Sequence, residues 1–196
     1  MSEKIKQIIE EIEALEEQLK EEIATQEDHI AYEIKNGYVR FEQDSLAKQK
    51  EKMKKIIAYL KDVPFLHLIS SPLVYIMILP AMVFDLMLYV YQQVIFRIYR
   101  FEFIKRNEYI VFDRHYLAYL NPIEKINCLY CSYFNGLMHY AAEISAKTEL
   151  YFCPIKHAKK VAYKHRYYKD FLSYGNERDF QEKFQELREK LQRNKT

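Results

Sequence analysis

The side chains best suited to chemistry are three cysteines and one histidine, which form two short-spaced pairs. Cys128 and Cys131 are separated by two residues, and Cys153 and His157 by three. Each pair offers two soft donors close together, and a fold-back of the chain between the pairs would bring all four donors to one place. The spacing therefore predicts a Cys3His site for a tetrahedral ion. Zn²⁺ is the simplest occupant, and iron is the alternative. Three other interpretations stay open: free buried cysteines, a redox-active Cys128 and Cys131 pair, and a structural disulfide.

A second pair that suits chemistry is His139 and Glu143, which lie four positions apart. The spacing places both on one face of the predicted helical stretch 123–152, which forms either one helix or two helices broken near Asn135-Gly136. Such a pair can be a second metal site or a general acid/base, but on an amphipathic helix it is more often a solvent-facing pair. The chain has only three glycines and neither a GxSxG nor an HExxH pattern. Nucleotide binding and standard hydrolase mechanisms are therefore poorly supported.

An apolar stretch before these residues is typical of a membrane segment. Between Asp62 and Arg97 the only acidic, basic or imidazole side chains are His67 and Asp85. As a helix this stretch is about 50 Å long, whereas the hydrocarbon core of a bilayer is about 30 Å thick. We therefore predict a membrane segment over residues 63–99.

Three prolines allow two topologies for this segment. One is a single span from Pro72 to about Tyr99, kinked near Pro80, after an interfacial piece at residues 65–71. The other is a re-entrant hairpin bent at Pro80. Basic residues flank the segment on both sides, so the positive-inside rule does not choose between the two.

Asp85 is the acidic residue of this segment. An ionised carboxylate in mid-bilayer costs at least ~3 kcal/mol, so Asp85 is predicted to face protein. It would then be a proton or cation site in an oligomeric ion pathway, or a link to a buried Arg, Tyr or Gln. A protonated Asp85 near the headgroups is the third interpretation.

The N-terminal residues 3–34 have the pattern of a coiled coil. Isoleucines and leucines recur on a seven-residue repeat, and the seam then shifts to later isoleucines (Ile5, Ile8, Ile12, Leu15, Leu19, then Ile23, Ile30 and Ile34). The seam predicts a homo-oligomer or a partner helix, or else an intrachain hairpin with a second helix from about Val39 to Asp62. Asn36-Gly37 is interpreted as a helix cap, with a type I′ turn pairing Ile34 with Val39 as the alternative.

Charge is distributed unevenly along this region. Residues 1–34 carry eleven acidic residues against three lysines, and residues 35–61 carry eight basic residues against three acidic ones. Lysines just before a membrane segment fit an anionic leaflet. The chain starts with a charged helical pattern instead of an apolar signal sequence, so we expect a cytoplasmic N-terminus.

Residues 156–174 mix basic and aromatic side chains. With Tyr163, Tyr167, Phe171 and Tyr174 on one helical face, they suit either nucleic acid or, more simply beside a lipid segment, an in-plane membrane helix. Nucleic acid is the less favoured partner. A break at Ser173-Tyr174-Gly175-Asn176 then precedes a short terminal helix.

Three motifs carry a resemblance to a known group of proteins. The runs YIVFDRHYLAYLN (109–121), NCLYCSYFNG (127–136) and TELYFCPIKHA (148–158) resemble a family of uncharacterised bacterial membrane-associated proteins with NCxYCxYxNG followed by ExYxCPIKH. The resemblance covers roughly residues 64–174 and implies a grouping without an assigned activity.

Together these patterns predict a mostly α-helical protein of four segments. They are a coiled-coil helical hairpin (1–62), a membrane segment (63–99), a helical metal-site domain (100–174) and a terminal helix (175–196). The predicted function is a non-catalytic, oligomerising scaffold at the bacterial inner membrane, with its soluble parts in the cytoplasm. A metal- or thiol-dependent membrane enzyme (an oxidoreductase or hydrolase) and an ion pathway through Asp85 are the alternatives.

Overall fold

The computed structural model describes residues 11, 14, 15, 17–19, 21, 22, 32–35, 38–41, 43–178 and 180–193. Within them the chain is mostly helical and forms two compact units. The first comprises the described residues up to Lys54 together with Tyr116–Tyr119, and the second comprises Lys55–His115 and the described residues from Leu120 onward. Apart from Tyr116–Tyr119, the three predicted segments after residue 62 therefore belong to the second unit.

The first unit contains a β-hairpin where the sequence favoured two helices. Strands β1 (Tyr32–Lys35) and β2 (Tyr38–Phe41) are antiparallel, with Ile34 opposite Val39 and Tyr32 opposite Phe41. The favoured helix cap is wrong, and the alternative pairing is the one observed. Aromatic and β-branched residues on both sides of an Asn-Gly pair prefer strands, and this preference outweighs the helical spacing.

Most of the predicted coiled coil lies outside the described residues, including Ile5, Ile8, Ile12, Ile23 and Ile30. The described residues between 11 and 22 are helical. Among them Leu15 and Leu19 are 63% and 61% exposed. Ile34, which was assigned to the seam, lies in β1 instead.

The predicted helix from Val39 to Asp62 is also wrong, because two shorter helices take its place. They are α1 (Gln43–Glu51) and α2 (Ile56–Asp62). Lysines at positions 48, 50, 52, 54 and 55 place like charges four residues apart, which disfavours a continuous helix. Within the first unit, the Gln49 Oε1 atom accepts a hydrogen bond from the Ala118 N–H at 2.9 Å.

The apolar stretch forms one long helix, Phe65–Phe96. It comprises α3 (Phe65–Ile76), α4 (Ile78–Tyr91) and a π-helical turn, Gln92–Phe96. The re-entrant hairpin bent at Pro80 is therefore wrong. The predicted helix start at Pro72 is wrong too, since Pro72 lies inside α3.

Two local features explain how this helix accommodates its prolines. Pro72 has no N–H for the Leu68 carbonyl, which instead accepts the Ser71 hydroxyl at 2.8 Å. Pro80 likewise has no N–H for the Ile76 carbonyl, and regular α-helix is interrupted at Met77, between α3 and α4. The helix therefore continues past both prolines.

A tight turn ends the long helix. Arg100 has a left-handed backbone with φ 59°, and the Phe101 N–H donates to the Phe96 carbonyl at 2.8 Å. The phenyl rings of these two phenylalanines pack edge to face at 5.2 Å. This is a Schellman motif, with arginine where glycine is usual.

The second long helix, α5 (Pro122–Phe152), is continuous, so the interpretation as two helices broken near Asn135-Gly136 is wrong. It begins with a capping box between Asn121 and Glu124, and it ends at Cys153, just before Pro154. Gly136 is needed for packing and not for a break. A Cβ there would lie 2.5 Å from the Tyr109 carbonyl oxygen and 2.9 Å from the Ile110 Cα.

The chain after α5 is largely irregular, so the predicted helix over residues 156–174 is wrong. Only a 3-10 turn, Arg166–Asp170, is helical there, and Ile155 and Leu172 form an isolated bridge. The predicted terminal helix is confirmed as α6 (Phe180–Arg193). It packs against the end of α5, where the Arg188 Nε donates to the Tyr151 carbonyl at 3.0 Å.

The core of the second unit lies between the long apolar helix and α5. Tyr75 bonds to Asn127, Asp85 to Tyr133, and Tyr91 to Thr148, so the two helices run parallel. Buried apolar side chains from both helices and from the connection between them fill this interface (Ala81, Leu88, Phe96, Phe101, Ile104, Ile110, Leu137, Tyr140, Ala141 and Ile144).

Candidate functional site

Asp85 is held by two residues from outside its helix. Arg106, in the 3-10 turn Arg106–Glu108, donates from Nε to Oδ1 at 3.1 Å and from Nη2 to Oδ2 at 2.6 Å. The Tyr133 hydroxyl on α5 donates to Oδ2 at 3.0 Å. The Asp85 side chain is 16% exposed. Among the three interpretations of Asp85, the geometry matches the intrachain link to an arginine and a tyrosine.

The electrostatics of this cluster favour a fixed ion pair. The hydrogen bond from Arg106 to Asp85 raises the pKa of the guanidinium. Burial, followed by the bond to Asp85, raises the pKa of the Tyr133 hydroxyl. Arg106 therefore stays charged and Tyr133 stays a donor at neutral pH, and their bonds satisfy both carboxylate oxygens.

Gln92, two helical turns after Asp85, continues the same polar face. Its side-chain amide donates to the Ile104 carbonyl and accepts from the Ile104 N–H, both at 3.2 Å. Gln92 is only 5% exposed. These two hydrogen bonds hold the connection against the long helix at Ile104, as the backbone of a neighbouring strand would.

A second polar cluster forms on α5 around Glu143. Its carboxylate accepts hydrogen bonds from the Arg166 guanidinium and, at 2.8 Å, from the Tyr167 hydroxyl. Burial, followed by the bond to Glu143, raises the pKa of Tyr167. His139, the predicted partner of Glu143, is exposed. The structure thus engages Glu143 in packing the 165–168 segment, whereas His139 faces solvent one turn earlier on α5.

Lys147 lies on the same side of α5 and is buried, with 5% of its surface exposed. Its Nζ donates to the Glu102 carbonyl at 3.1 Å and lies 3.6 Å from the Glu102 carboxylate. Burial lowers the pKa of this lysine, and the nearby carboxylate acts in the opposite direction. Lys147 and Glu102 both line a cavity of about 410 Å³.

A third polar contact joins α5 to the chain after it. The His165 Nε2 and the Glu149 carboxylate are 3.1 Å apart. Both line a smaller cavity of about 290 Å³, and His157 is on its wall.

The four predicted metal ligands do not come together. Cys128 and Cys131 lie near the start of the continuous helix α5, and Cys153 lies at its end. A helix rises about 1.5 Å per residue, so Cys131 and Cys153 are about 33 Å apart. Among the described residues, no group of three or more His, Cys, Asp or Glu side chains is placed to hold a metal ion. The Cys3His prediction is therefore wrong, and these donors do not fit a tetrahedral zinc or iron site within one chain.

All three cysteines are free thiols, and Cys131 and Cys153 are exposed. The disulfide and the fully buried thiols that the sequence left open are therefore not what the structure contains. Cys128 and Cys131 lie within one turn of a regular helix. Their short-spaced pair is therefore part of the surface of α5.

Several residues of these clusters were missed by the sequence analysis. An aspartate in an apolar helix indicates that a cation is needed, but Arg97, Arg100, Lys105 and Arg106 all follow closely. Nothing local distinguishes Arg106 among them. Tyr133 and Lys147 lie on α5 at positions whose partners come from distant parts of the chain, so spacing carries no signal for either.

No protein-family model, no curated protein and no solved structure matches this chain.

Proposed function

We propose that this chain is a membrane-attached scaffold protein with no catalytic role of its own. The apolar helix Phe65–Phe96 holds it at the bacterial inner membrane, and its N-terminal heptads bring copies or a partner helix together. The observation that carries the proposal is the exposure of this helix. Its most apolar window of 18 residues has a mean hydropathy of 2.2, and 11% of that window is buried.

The exposed apolar surface of this helix is too large for a protein surface in contact with water. Eighteen large apolar side chains between Phe65 and Ile98 are 39–75% exposed. Leaving each of them in water costs on the order of 1 kcal/mol relative to burial. Monomeric soluble proteins rarely expose contiguous apolar patches of more than a few hundred Å². Lipid is the cover that a helix of this length and composition fits.

The contacts of the polar clusters favour a scaffold over the two alternatives. A metal enzyme needs its donors at one place, whereas Cys128 and Cys131 lie near the start of α5 and Cys153 lies at its end. An ion pathway needs a free carboxylate, whereas Asp85 is held by Arg106 and Tyr133. Each cluster instead joins two parts of the second unit.

Membrane attachment is tested by fractionating bacterial cells that express the full chain. We expect the protein in the membrane pellet and resistant to extraction by high salt and by alkaline carbonate. Replacing Leu79, Val83 and Leu86 by glutamine removes exposed apolar surface and is expected to shift the protein toward the soluble fraction. The matched control replaces exposed apolar residues outside the helix, Val111, Phe112 and Ile126, and should leave the protein in the pellet. Wild-type protein that stays soluble would contradict the proposal.

A further inference from the structure

Up to Val90, protein covers the long helix along one face, and from Tyr91 to Phe96 it covers more of the circumference. The covered positions of that one face recur every three or four residues along the helix (Ser71, Tyr75, Ile78, Ala81, Asp85, Leu88, Gln92 and Phe96). We call this set the covered stripe. A spacing of three and four marks a single helical face. The opposite face carries Ile69, Val83 and Val94, which are 59%, 60% and 49% exposed.

Polar groups lie beside the covered stripe in the middle of the helix. Arg106 bonds to Asp85, and its side chain is 44% exposed. Its neighbours Lys105 and Glu108 have side chains that are 75% and 59% exposed. Ten residues before Asp85, Tyr75 bonds to Asn127 near the polar start of α5.

These positions conflict with a helix that crosses the bilayer. A crossing needs about 20 residues, and every stretch of that length within Phe65–Phe96 contains Tyr75, Asp85 or both. A crossing would therefore place the start of α5, or the charges around Arg106, in hydrocarbon. Each charged side chain there costs at least ~3 kcal/mol.

Cations flank the helix at both ends. Lys61 precedes it, Arg97 and Arg100 follow it, and all three are exposed. Because the helix does not reverse, its two ends lie in the same headgroup layer only if its axis is parallel to the membrane. Basic side chains in that layer complement anionic headgroups, at about 1 kcal/mol each.

We propose that Phe65–Phe96 lies in the plane of an anionic membrane, with the face opposite the covered stripe inserted into one leaflet. Ile69, Val83 and Val94 contact acyl chains, while Arg106, Lys105 and Glu108 stay on the aqueous side. Helices that lie in the membrane plane insert about 5–10 Å below the headgroups. The inference rests on the membrane attachment proposed above and specifies its geometry.

Tryptophan fluorescence tests this geometry directly, because the chain contains no tryptophan of its own. The full chain carrying Ile69→Trp, Val83→Trp or Val94→Trp is bound to vesicles of phosphatidylcholine and phosphatidylglycerol. Lipids brominated at different acyl positions then report the depth of each indole. An in-plane helix places all three at one shallow depth. A Phe112→Trp variant, at a 43% exposed position outside the helix, gives the reference for an indole away from this face.

A crossing helix gives a different profile. Val83 would then lie about 10–15 Å deeper than Ile69 and Val94, given a rise of about 1.5 Å per residue. That result would overturn the in-plane geometry and leave membrane attachment standing. Failure of the wild-type chain to sediment with the vesicles would overturn both proposals.

The anionic preference is tested by sedimentation with the same vesicles. Lys61→Gln and Arg97→Gln are each expected to weaken binding about five-fold, the equivalent of about 1 kcal/mol. Lys105→Gln is the control and should bind like the wild type, because the Lys105 side chain is 75% exposed and stays on the aqueous side. Equal binding of the wild type to neutral and anionic vesicles would overturn the assignment of anionic lipid.

Discussion

An ionised Asp85 on an apolar helix needs a counter-charge, and Arg106 supplies it together with two hydrogen bonds. The two partners differ in exposure, at 16% for the Asp85 side chain and 44% for Arg106. Removing the more exposed cation leaves the more buried anion without compensation. The pair is therefore expected to respond asymmetrically to substitution.

We predict that Arg106→Gln lowers the free energy of unfolding by about 2–3 kcal/mol, because it leaves a largely buried carboxylate without its cation. Asp85→Asn should cost only about 1 kcal/mol, since the freed guanidinium still reaches water. Circular dichroism melts of both variants and of the double variant in detergent micelles measure these costs. The double variant should be more stable than the sum of the two losses implies. Strictly additive losses would mean that the two side chains do not interact.

Lys147 provides a pH-dependent contribution to stability. Burial lowers the pKa of its ammonium group from the ordinary value of 10.5, so the unfolded chain binds this proton more tightly than the folded one. The resulting penalty is fully present below the folded pKa and is relieved as pH rises toward 10.5. Lys147 thus makes the folded state more stable at alkaline pH.

We expect Lys147→Met to remove this gain. Between about pH 7.5 and about pH 9.5, below the ordinary range of tyrosine, the wild-type melting temperature should rise relative to that of the variant. Lys169→Met is the matched control, because Lys169 lines the same cavity but is exposed. A variant with the same pH profile as the wild type would show that Lys147 carries no such penalty.

At the scale of elements, Gly136 fixes how closely α5 approaches the connection before it. Alanine is the better helix former by up to about 1 kcal/mol, so local propensity alone favours Gly136→Ala. The added Cβ, however, would meet backbone at 2.5 Å and 2.9 Å, and backbone cannot move aside as a flexible side chain can. The tertiary contact should therefore dominate over the propensity.

We predict that Gly136→Ala lowers the free energy of unfolding by about 1–3 kcal/mol, the usual cost of overpacking. Ser145→Ala is the control, since Ser145 is an exposed position of the same helix and should be neutral or slightly stabilising. Thermal melts followed at a helical wavelength compare the two. Equal stability of both variants would show that α5 is free to shift away from Tyr109.

The elements that were predictable from the sequence are those that depend on local signals. The apolar helix and the end of α5 at Cys153 follow from hydropathy and from Pro154, which are local signals. The break predicted as an alternative at Gly136 failed because this glycine serves a neighbour that lies 27 residues away at Tyr109. The Cys3His site failed with it, since two short motifs reveal nothing about the continuity of the helix between them.

The β-hairpin shows a different limit of sequence reasoning. Helical spacing on both sides of Asn36-Gly37 favoured a helix cap, yet the flanking residues form β1 and β2. Both interpretations were available, and the aromatic and β-branched composition carried the deciding preference. Residues 156–174 were misjudged for the reverse reason. There the aromatic spacing is regular, but the segment is not a helix. Phe171 is buried at 3% exposure whereas Tyr163 and Tyr174 are exposed, so these aromatic side chains do not share one face.

At the scale of the whole chain, an acidic N-terminal region, a basic stretch and an apolar helix follow one another. Residues 1–34 carry a net excess of acidic residues and residues 35–61 an excess of basic ones. An anionic leaflet attracts the basic stretch and repels the acidic region. At such a leaflet we expect the acidic region to be the part most available for contact with other protein chains.

We expect the chain to self-associate through this acidic region. A substitution in the predicted seam and one beside it test whether the seam is responsible. Leu15 and Ala14 are adjacent, helical and exposed, but only Leu15 belongs to the predicted heptad seam. We predict that Leu15→Asp lowers the oligomer mass in detergent, as measured by light scattering after size exclusion, because it places a carboxylate in the apolar interface. Ala14→Asp carries the same charge and a similar loss of helix propensity, and should retain the oligomer mass of the wild type. If both variants dissociate alike, charge or helix loss is responsible and not the seam. If neither does, the copies associate elsewhere.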